Sequence, residues 1–282
     1  MRTFELSPVA VERIVAIALE EDLASGDPTT EACVAPQTQA VARAVARESL
    51  VACGGPVFER VFAMLDSSLA VEPHVADGAP VTRGGGLWTV RGRARSILTA
   101  ERVALNLVQR MCGIATLTRA YVDAVPEGCA TRITDTRKTT PGLRALERYA
   151  VRVGGARNHR DNLGAGVLIK DNHVAACGGV RAAIERARAA APHSAKIECE
   201  VDSLDQLDEA LVAGADIVLL DNMSAATIAE AVRRTGGRAL LEASGGITLD
   251  RVPELARTGV DFLSVGALTH SVRAVDVGLD FE

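Results

Sequence analysis

From about residue 131 onward, short apolar runs alternate with longer segments of helical apolar spacing, and this alternation constrains the fold more than any other feature. The strands predicted from the apolar runs are Arg132–Thr134, Val167–Ile169, Ile197–Val201, Ile217–Leu220, Ala239–Leu241 and Phe262–Val265. The helices predicted between them include Val180–Ala190, Leu204–Ala213, Ala225–Arg234 and Leu249–Arg257. Short continuous apolar strands are typical of strands buried on both faces. Their alternation with helices predicts a parallel sheet with right-handed crossovers.

The region up to about residue 95 has a different pattern of apolar residues and is predicted to form a smaller α+β domain. Helical apolar spacing over Val9–Leu23 follows Ser7 and Pro8, which suit a helix cap and first turn. Alternating apolar residues over Val41–Ala46 and Leu87–Val90 predict strands with one exposed face.

A long helix predicted over Thr99–Val125 links the two regions, with Thr99 as its cap and a break or bend near Gly113. The fold class expected is therefore α/β, with an N-terminal α+β sandwich followed by an α/β barrel. The expected domains are a sandwich at residues 1–112, a barrel at residues 113–269, and a tail at residues 270–282 that packs on the sandwich.

Composition excludes several classes of function. Hydrophobic residues make up 48% of the 282 residues, enough for a large core, and the formal net charge is -5. The chain has no basic tail with interleaved aromatic residues, which argues against a nucleic-acid partner. No apolar run reaches the roughly 18 residues that a membrane span needs. We therefore expect a cytoplasmic protein.

The six cysteines show no CxxC pair and no metal-ligand spacing. They are interpreted as free, mostly buried thiols in a reducing cytosol. Cys112 and Cys199 lie near other motifs, so a catalytic thiol at either position is the alternative interpretation.

Each predicted strand of the second region is followed by ionisable or Gly-rich residues. In a parallel barrel, the loops after the strands form the active face, so these residues predict a catalytic rim. In chain order they are Asp135-Thr136-Arg137-Lys138, Lys170-Asp171-Asn172-His173, Glu198-Cys199-Glu200, Asp221-Asn222, Glu242-Ala243-Ser244-Gly245-Gly246 and Ser264-Val265-Gly266-Ala267.

The cations of this rim suit an anionic substrate. Residues 135–174 carry eight Arg or Lys side chains, and this stretch holds two of the only three lysines in the chain, Lys138 and Lys170. Planar guanidinium groups match carboxylates, so Arg137 and Arg160 are candidates for carboxylate or pyrophosphate binding. The alternative is a solvated basic surface. His159 lies beside Arg160, but a lone histidine such as His173 is more often structural.

The later strand ends suit a phosphosugar. Glu200 and Asp221, on neighbouring strands, are candidates for binding vicinal hydroxyls or Mg²⁺, with charge balance as the alternative. Gly-rich turns after the last barrel strands commonly hold a phosphate through backbone N–H groups. The segments Ser244–Gly246 and Val265–Ala267 are such turns, although each short motif alone also fits an ordinary tight turn.

These motifs resemble the quinolinate phosphoribosyltransferase family nearly end to end. The segments that carry the resemblance are DTRKTTPGLRALERYAV, NHR, LIKDNHV, ECEVDS, LLDN, EASGG, VGALTHS, TAERVALNLVQRMCGIAT and GDPTT. The resemblance implies an open, incomplete α/β barrel joined to an N-terminal sandwich, assembled as a dimer or hexamer. It implies that quinolinate and phosphoribosyl pyrophosphate give nicotinate mononucleotide, pyrophosphate and CO₂, with Mg²⁺, in NAD biosynthesis.

The resemblance also implies a role for each site residue. Lys138, Lys170, Glu200 and Asp221 are the expected catalytic residues. The expected substrate-binding residues also include Arg102, which would reach the neighbouring subunit's site, and Thr136, Arg137, His159, Arg160, Ser244, Gly245, Gly246, Val265, Gly266 and Ala267. Within this set, Arg137, His159, Arg160 and Lys170 would hold quinolinate, and Lys138 would meet phosphoribosyl pyrophosphate. Glu200 and Asp221 would hold the ribose hydroxyls and the metal, partly through the substrate.

The chain departs from the family pattern at a few positions, none of them a charged site residue. Cys112 and Ala156 stand where the family commonly has Ser and Gly. These departures leave a molybdenum-transport-associated (ModD-like) paralogue with another acceptor as the alternative. Two further alternatives are an aldolase-type enzyme with Lys170 as its Schiff-base lysine, and a non-catalytic phosphosugar-binding protein.

Overall fold

The computed structural model describes residues 6–282. The first part of the chain forms α1 (Pro8–Leu23), α2 (Pro28–Cys33), β1 (Gln39–Ala46), β2 (Leu50–Val51), α3 (Gly55–Leu65), β3 (Ala70–Pro73), β4 (Pro80–Val81), β5 (Gly86–Arg93) and α4 (Ala94–Asp123). The next part forms β6 (Arg132–Thr134), α5 (Arg144–Val153), β7 (Val167–Ile169), α6 (Asp171–Cys177), α7 (Val180–Ala190), β8 (Ile197–Val201), α8 (Leu204–Val212) and β9 (Ile217–Asp221). The last part forms α9 (Ala225–Thr235), β10 (Leu240–Ser244), a 3₁₀ turn (Leu249–Arg251), α10 (Val252–Ala256), β11 (Phe262–Ser264), α11 (Ala267–His270) and β12 (Val277–Phe281).

These elements cluster into two compact units. The first unit holds the described residues up to Arg119 together with residues 139–155 and 267–282. The second unit holds residues 120–138 and 156–266. No helix within residues 6–282 combines the length and the apolar character that a membrane span requires.

The first unit is built on a four-stranded sheet in the order β12-β1-β5-β3. The sheet is antiparallel, and residue Ala44 of β1 lies opposite Leu279 of β12 and Trp88 of β5. The Trp88 ring stacks on Phe58 of α3 at 4.7 Å between centroids. Burial of each such large side chain contributes about 1.5–3 kcal/mol, so this contact fixes α3 over the sheet. The α+β sandwich expected for this region is confirmed.

The break predicted near Gly113 in the long helix is wrong. Helix α4 runs without interruption from Ala94 to Asp123, so it also begins earlier than predicted. A Cβ atom at Gly113 would lie 2.3 Å from the backbone oxygen of Arg273. The glycine therefore permits a close backbone approach at this point of the helix. Thr99 lies inside the helix, where its hydroxyl donates to Asp27 at 3.1 Å, and is not the cap.

The second unit contains a six-stranded sheet in the order β6-β11-β10-β9-β8-β7, with every pairing parallel. Strands β6 and β7 are the two edges of this order and do not pair with each other. A sheet that curls but leaves this seam open is an incomplete α/β barrel, so the expected fold class is confirmed.

The predicted elements of the second unit agree with the structure in position and differ mainly at their ends. Strand β10 begins at Leu240 and continues to Ser244, beyond the predicted run. The segment predicted as one helix from Leu249 begins as a 3₁₀ turn. Across both units, helices α2, α3, α5, α6 and α11 were not predicted. Helix α6 is short, whereas α5 has clear helical apolar spacing (Leu146, Tyr149, Ala150 and Val153) that the sequence interpretation overlooked.

Candidate active site

Four strands of the parallel sheet bring polar side chains to one end of the second unit. Lys170 follows β7, Glu200 lies near the end of β8, and Asp221 and Ser244 end β9 and β10. These side chains line one cavity of about 550 Å³, called here the upper cavity. Other predicted residues that line it are Thr136, Arg137, Lys138, His159, Arg160, Gly245 and Gly246. The predicted rim of strand ends is therefore brought together around one space.

Every second residue along a strand points to the same side, so the residues that face the upper cavity recur at intervals of two. On neighbouring strands Leu219 lies opposite Glu242, and Asp221 lies opposite Ser244. All four line the upper cavity. Glu242 belongs to the predicted rim, as do the lining residues Asn222 and Ser264, although the sequence interpretation gave them no role. The lining residues that it missed are Leu168 and Leu219. Counting back by two from Asp221 would have found Leu219.

A short segment beside the open seam carries the conspicuous Asn-His-Arg triplet. Arg157 forms an isolated parallel bridge with Thr134, at the end of β6. The fully buried Asp135 carboxylate accepts hydrogen bonds from the Asn158 amide and from the His159 backbone N–H, both at 2.7 Å. The triplet is thus attached to the edge strand that precedes Arg137 and Lys138.

His159 points at two buried glutamates inside the barrel. Its Nε2 lies 3.3 Å from Glu198 and 3.4 Å from Glu242, and the two carboxylate side chains are 8% and 7% exposed. Burial lowers the pKa of His159, but hydrogen bonds and charges of the two glutamates outweigh burial and raise the pKa to about 10. Burial also raises the pKa of Glu198. His159 and Glu198 therefore hold protons more tightly than isolated side chains.

The other ring nitrogen of His159 decides which tautomer is present. Nδ1 accepts the Arg160 backbone N–H at 2.7 Å, so the ring proton lies on Nε2 and points at the glutamates. This bond opposes a second proton on the ring, so we take His159 as the neutral Nε2–H tautomer in spite of its raised pKa. The three ligand atoms lie within 4.8 Å of one another, a spacing that a metal ion could use. A protonated Nε2 cannot bind a metal, so we assign the group as a hydrogen-bonded cluster.

Glu200 and Asp221 form an acidic pair in the upper cavity. Burial, followed by the negative charge of Glu200, raises the pKa of Asp221, while Asn222, Lys170 and Lys138 act against this rise. The Lys170 ammonium lies 2.8 Å from Glu200 and is about half exposed. A solvated, ion-paired lysine does not match the desolvated amine that a Schiff-base enzyme needs. The aldolase-type alternative is therefore disfavoured.

The Gly-rich turn after β10 packs directly against the loop after β9. Gly245 has φ +96°, and a Cβ atom there would lie 2.1 Å from the Asn222 side-chain oxygen. Asn222 itself has φ 54°, and its backbone N–H donates to Ser244 at 2.9 Å. Asn222 also donates from its amide to Asp221. The turn and the acidic pair are thus held together by one residue.

The cations of the cavity come from two neighbouring segments. Arg137 and Arg160 are half-buried, whereas Lys138 is exposed. Burial and the nearby Arg137 lower the pKa of Arg160. Two guanidinium groups at close range repel each other unless an anion lies between them. This arrangement favours a ligand with carboxylate groups.

Several predicted residues do not line the upper cavity. Arg102 is an exposed residue of α4 and belongs to the first unit. Val265 is buried, and its backbone N–H donates to Thr134 at 2.9 Å, so that N–H already has an acceptor. Gly266 and Ala267 follow it and are absent from the lining of the cavity. Of the two predicted turns, Ser244–Gly246 is the one that faces the cavity.

His173 and the two candidate cysteines lie where a structural role fits better than a catalytic one. His173 accepts the Lys170 backbone N–H at 2.9 Å through Nδ1, which caps α6. Cys112 and Cys199 are buried free thiols. Burial raises the pKa of Cys112 to about 12 and that of Cys199 to about 11. A thiol that stays protonated at neutral pH is a poor nucleophile.

Known proteins match the chain over nearly its whole length. The quinolinate phosphoribosyl transferase C-terminal domain matches residues 114–280, and the N-terminal domain of the same family matches residues 27–112. A Mycobacterium leprae protein named nicotinate-nucleotide pyrophosphorylase [carboxylating] is 51% identical over 272 residues, which cover 93% of this chain and 94% of that protein. A Bacillus subtilis protein with the name "probable nicotinate-nucleotide pyrophosphorylase [carboxylating]" is 42% identical and covers 92% of this chain and 89% of its own.

Solved structures give the same result. The nicotinate-nucleotide pyrophosphorylase from Francisella tularensis has a TM-score of 0.94 and 37% identity, with 100% of each chain covered. The enzyme of that name from Ehrlichia chaffeensis has a TM-score of 0.92 and 42% identity, with 96% of this chain and 98% of that chain covered. Together with the geometry of the upper cavity, these matches show that the chain belongs to the quinolinate phosphoribosyltransferase family.

Proposed function

We propose that the upper cavity transfers a phosphoribosyl group to quinolinate and releases CO₂. The reaction converts quinolinate and phosphoribosyl pyrophosphate into nicotinate mononucleotide, pyrophosphate and CO₂, a decarboxylating pentosyl transfer in NAD biosynthesis. The observation that supports it best is one cavity lined by a cation cluster, an acidic pair and a Gly-rich turn. A dicarboxylate acceptor and a phosphosugar donor need these three kinds of group.

Quinolinate would be held by the cations. Arg137 and Arg160 would each offer a planar fork to a carboxylate. His159 and Lys170 border the same cavity and would complete the acceptor site. An acceptor with one carboxylate leaves a half-buried guanidinium without its partner, so we expect nicotinate to bind poorly.

The phosphoribosyl donor would lie between the acidic pair and the Gly-rich turn. Glu200 and Asp221 would accept hydrogen bonds from the ribose hydroxyls. Backbone N–H groups at Ser244, Gly245 and Gly246 would hold the 5′-phosphate. Lys138 would neutralise the departing pyrophosphate. These roles place no covalent nucleophile on the protein, so its contribution is positioning and charge stabilisation.

The acidic pair also fits Mg²⁺. Two carboxylates open to one cavity are oxygen ligands of the kind that Mg²⁺ prefers. Burial and the charge of Glu200 raise the pKa of Asp221, and a cation would relieve that unfavourable placement. When bound, Mg²⁺ would supply charge neutralisation for the pyrophosphate.

The pyridine ring of quinolinate would form the new bond to the ribose and then allow the loss of CO₂. The nitrogen attacks the anomeric carbon as pyrophosphate leaves. The resulting cationic ring accepts the electron pair of the bond to the 2-carboxylate, which departs as CO₂. A proton then replaces the carboxylate at that carbon.

We also propose a homo-oligomeric, cytoplasmic enzyme. Arg102 is exposed on α4, so its guanidinium is available for a neighbouring subunit's site. The cysteines at positions 33, 53, 112, 129, 177 and 199 are free thiols, as a reducing compartment favours. A concentration series in analytical ultracentrifugation, for wild type and Arg102→Ala, tests the assembly and the role of Arg102 together.

The reaction is tested by incubating the purified protein with quinolinate, phosphoribosyl pyrophosphate and Mg²⁺. We expect nicotinate mononucleotide, pyrophosphate and CO₂ in equal amounts, and no turnover when nicotinate replaces quinolinate. Binding of phosphoribosyl pyrophosphate without turnover of quinolinate would contradict the proposal. Loss of activity with EDTA, restored by added Mg²⁺, is the expected result for the metal.

A further inference from the structure

Residues 158–160 border open space in the barrel. His159 and Arg160 line the upper cavity, and all three residues also line a second cavity of about 790 Å³. This lower cavity lies where strands β9, β10 and β11 begin, at the opposite end of the sheet. A side chain beside a cavity has fewer packing neighbours than one in a close-packed core. Hydrogen bonds to buried groups therefore contribute more to the position of this segment.

Asp135 accepts two short hydrogen bonds from this segment. Its side chain is fully buried, and its two carboxylate oxygens accept from the Asn158 amide and the His159 backbone N–H, each at 2.7 Å. Hydrogen bonds to an ionised acceptor are roughly twice as strong as neutral ones. Asp135 directly follows β6, so these bonds tie the segment to the sheet itself.

Two further contacts of the segment are longer or more local. His159 Nε2 lies 3.3 Å from Glu198 and 3.4 Å from Glu242. One guanidinium nitrogen of Arg160 donates to Gly166 at 3.1 Å, six residues later in the same loop. A contact within the loop cannot fix the loop relative to the sheet.

We propose that Asp135 is a positioning residue that sets where His159 and Arg160 meet the acceptor. The inference deepens the proposed function, because it assumes that these two residues hold quinolinate. Asp135 does not line the upper cavity, so its effect is indirect. Its loss should weaken quinolinate binding while leaving in place the acidic pair and the Gly-rich turn at the ends of β8, β9 and β10.

The first test is Asp135→Asn, which keeps the shape and removes the charge. We expect the KM for quinolinate to rise about 10- to 100-fold, which corresponds to the loss of one or two charge-assisted hydrogen bonds. The KM for phosphoribosyl pyrophosphate should stay within about twofold, since the groups proposed for its ribose and 5′-phosphate lie at the ends of β8, β9 and β10. A KM for quinolinate equal to that of wild type would overturn the proposal.

A swap of the two side chains separates geometry from charge. Asn158→Asp should be the more damaging single change, because it sets two carboxylates against each other inside the protein. The double variant Asp135→Asn with Asn158→Asp again pairs one carboxylate with one amide. We expect the double variant to reverse most of the rise in the KM for quinolinate that Asn158→Asp causes. A KM that stays as high as in Asn158→Asp would count against the proposal.

Asp261→Asn is the matched control. The Asp261 carboxylate also accepts a backbone N–H from a neighbouring strand, that of Leu241 at 2.8 Å, but at the opposite end of the sheet. We expect Asp261→Asn to lower the thermal midpoint and to leave both KM values unchanged. If Asp135→Asn behaves in the same way, Asp135 is merely structural and the proposal is wrong.

Wild-type turnover keeps the two proposals distinguishable. Formation of nicotinate mononucleotide by wild type tests the proposed function and does not depend on Asp135. Only the split between the two KM values in the variants tests the positioning role. A wild-type protein without quinolinate turnover would overturn both proposals, because the positioning role assumes quinolinate at His159 and Arg160.

Discussion

Asp66 in the first unit and Asp221 in the second are carboxylates with limited exposure, but their surroundings differ. Asp66 accepts hydrogen bonds from Arg93, from Ser96, and from both the hydroxyl and the backbone N–H of Ser68. These contacts, with Arg93 the largest cause, lower the pKa of Asp66 well below its usual range. Burial and the neighbouring Glu200 instead raise the pKa of Asp221.

The comparison separates Asp66, whose charge is stabilised by the folded protein, from Asp221, to which we assign a ligand. The carboxylate oxygens of Asp66 both have protein partners, so nothing further is needed to stabilise its charge. Asp221 faces a cavity and another acid, an arrangement that costs stability until a cation or a hydroxyl-bearing substrate arrives. Changes around Asp66 should therefore affect folding, and changes around Asp221 should affect kinetics.

The largest expected effect is that of Arg137→Ala on turnover. Removal of a guanidinium that meets a carboxylate should lower kcat/KM for quinolinate roughly 10²- to 10³-fold. The circular dichroism spectrum and the melting temperature should stay near those of wild type. Arg132→Ala is the control, since Arg132 is an exposed residue at the start of β6, the strand that precedes Arg137. Wild-type-like kinetics in Arg137→Ala would contradict the assignment.

A smaller kinetic effect is expected for Gly245→Ala. The new Cβ would lie 2.1 Å from the Asn222 side chain, so the turn and the loop after β9 must move apart. We expect kcat/KM for phosphoribosyl pyrophosphate to fall about 10- to 100-fold, as strain of this kind predicts.

Gly237→Ala is the matched control for that change. Gly237 also has a positive φ, +78°, but a Cβ there would meet no atom within 4 Å. Its backbone strain should lower stability without affecting the KM for phosphoribosyl pyrophosphate. Equal kinetic losses in the two variants would mean that positive φ alone, and not the contact with Asn222, explains the result.

Asp66→Asn should lower stability and leave kinetics alone. We expect the free energy of unfolding to fall by about 1–3 kcal/mol, the usual cost of breaking hydrogen bonds to a buried charged group. Chemical denaturation measures this change. Glu72→Gln is the control, because the Glu72 carboxylate is mostly exposed and lies 3.9 Å from Arg91.

The same variant should show a distinct dependence on pH. The folded pKa of Asp66 is lowered, so its contribution to stability is present above the unfolded pKa of about 3.9 and is lost as pH falls below that value. The stability difference between wild type and Asp66→Asn should therefore be constant near neutral pH and shrink below about pH 4. A difference that grows on acidification would contradict the assignment.

The smallest effect is expected from the thiols. Cys33 is exposed, whereas Cys53, Cys112 and Cys199 are buried. Iodoacetamide should label Cys33 of the native protein first and leave turnover unchanged, since burial raises the pKa of Cys112 and Cys199. Mass spectrometry of the labelled peptides checks the order. Inactivation that parallels labelling of Cys112 would revive the catalytic-thiol interpretation.

The sequence predicted the parallel sheet well because its signal is local. Each strand is a short apolar run followed by a polar residue, and both properties can be counted along the chain. Helix α7 runs over Val180–Ala190, as predicted. Contacts between residues far apart in the sequence could not be predicted from such local patterns. Gly113 was interpreted as a helix breaker because its neighbour, the backbone of Arg273, is 160 positions away.

The candidate site was predicted in part for the same reason. Residues at strand ends, such as Glu200 and Asp221, carry a local signal and line the upper cavity. The roles of Glu242 and Asp135 depend on which strands are neighbours and on a seam that no local pattern reveals. His173 was an open case, and only its contact with the backbone N–H of Lys170 identified it as a cap.

The pairing of β1 with β12 has a consequence for how the chain acquires its structure during synthesis. Arg47, just after β1, bonds to Asp280 in β12, 233 positions later. At about 5–20 residues per second, the ribosome needs roughly 10–50 s to make the intervening chain. The four-stranded sheet of the first unit therefore lacks its edge strand β12 until all strands of the parallel sheet have been translated. A nascent chain stalled before residue 277 should expose the unpaired edge of β1, where aggregation or chaperone capture would begin.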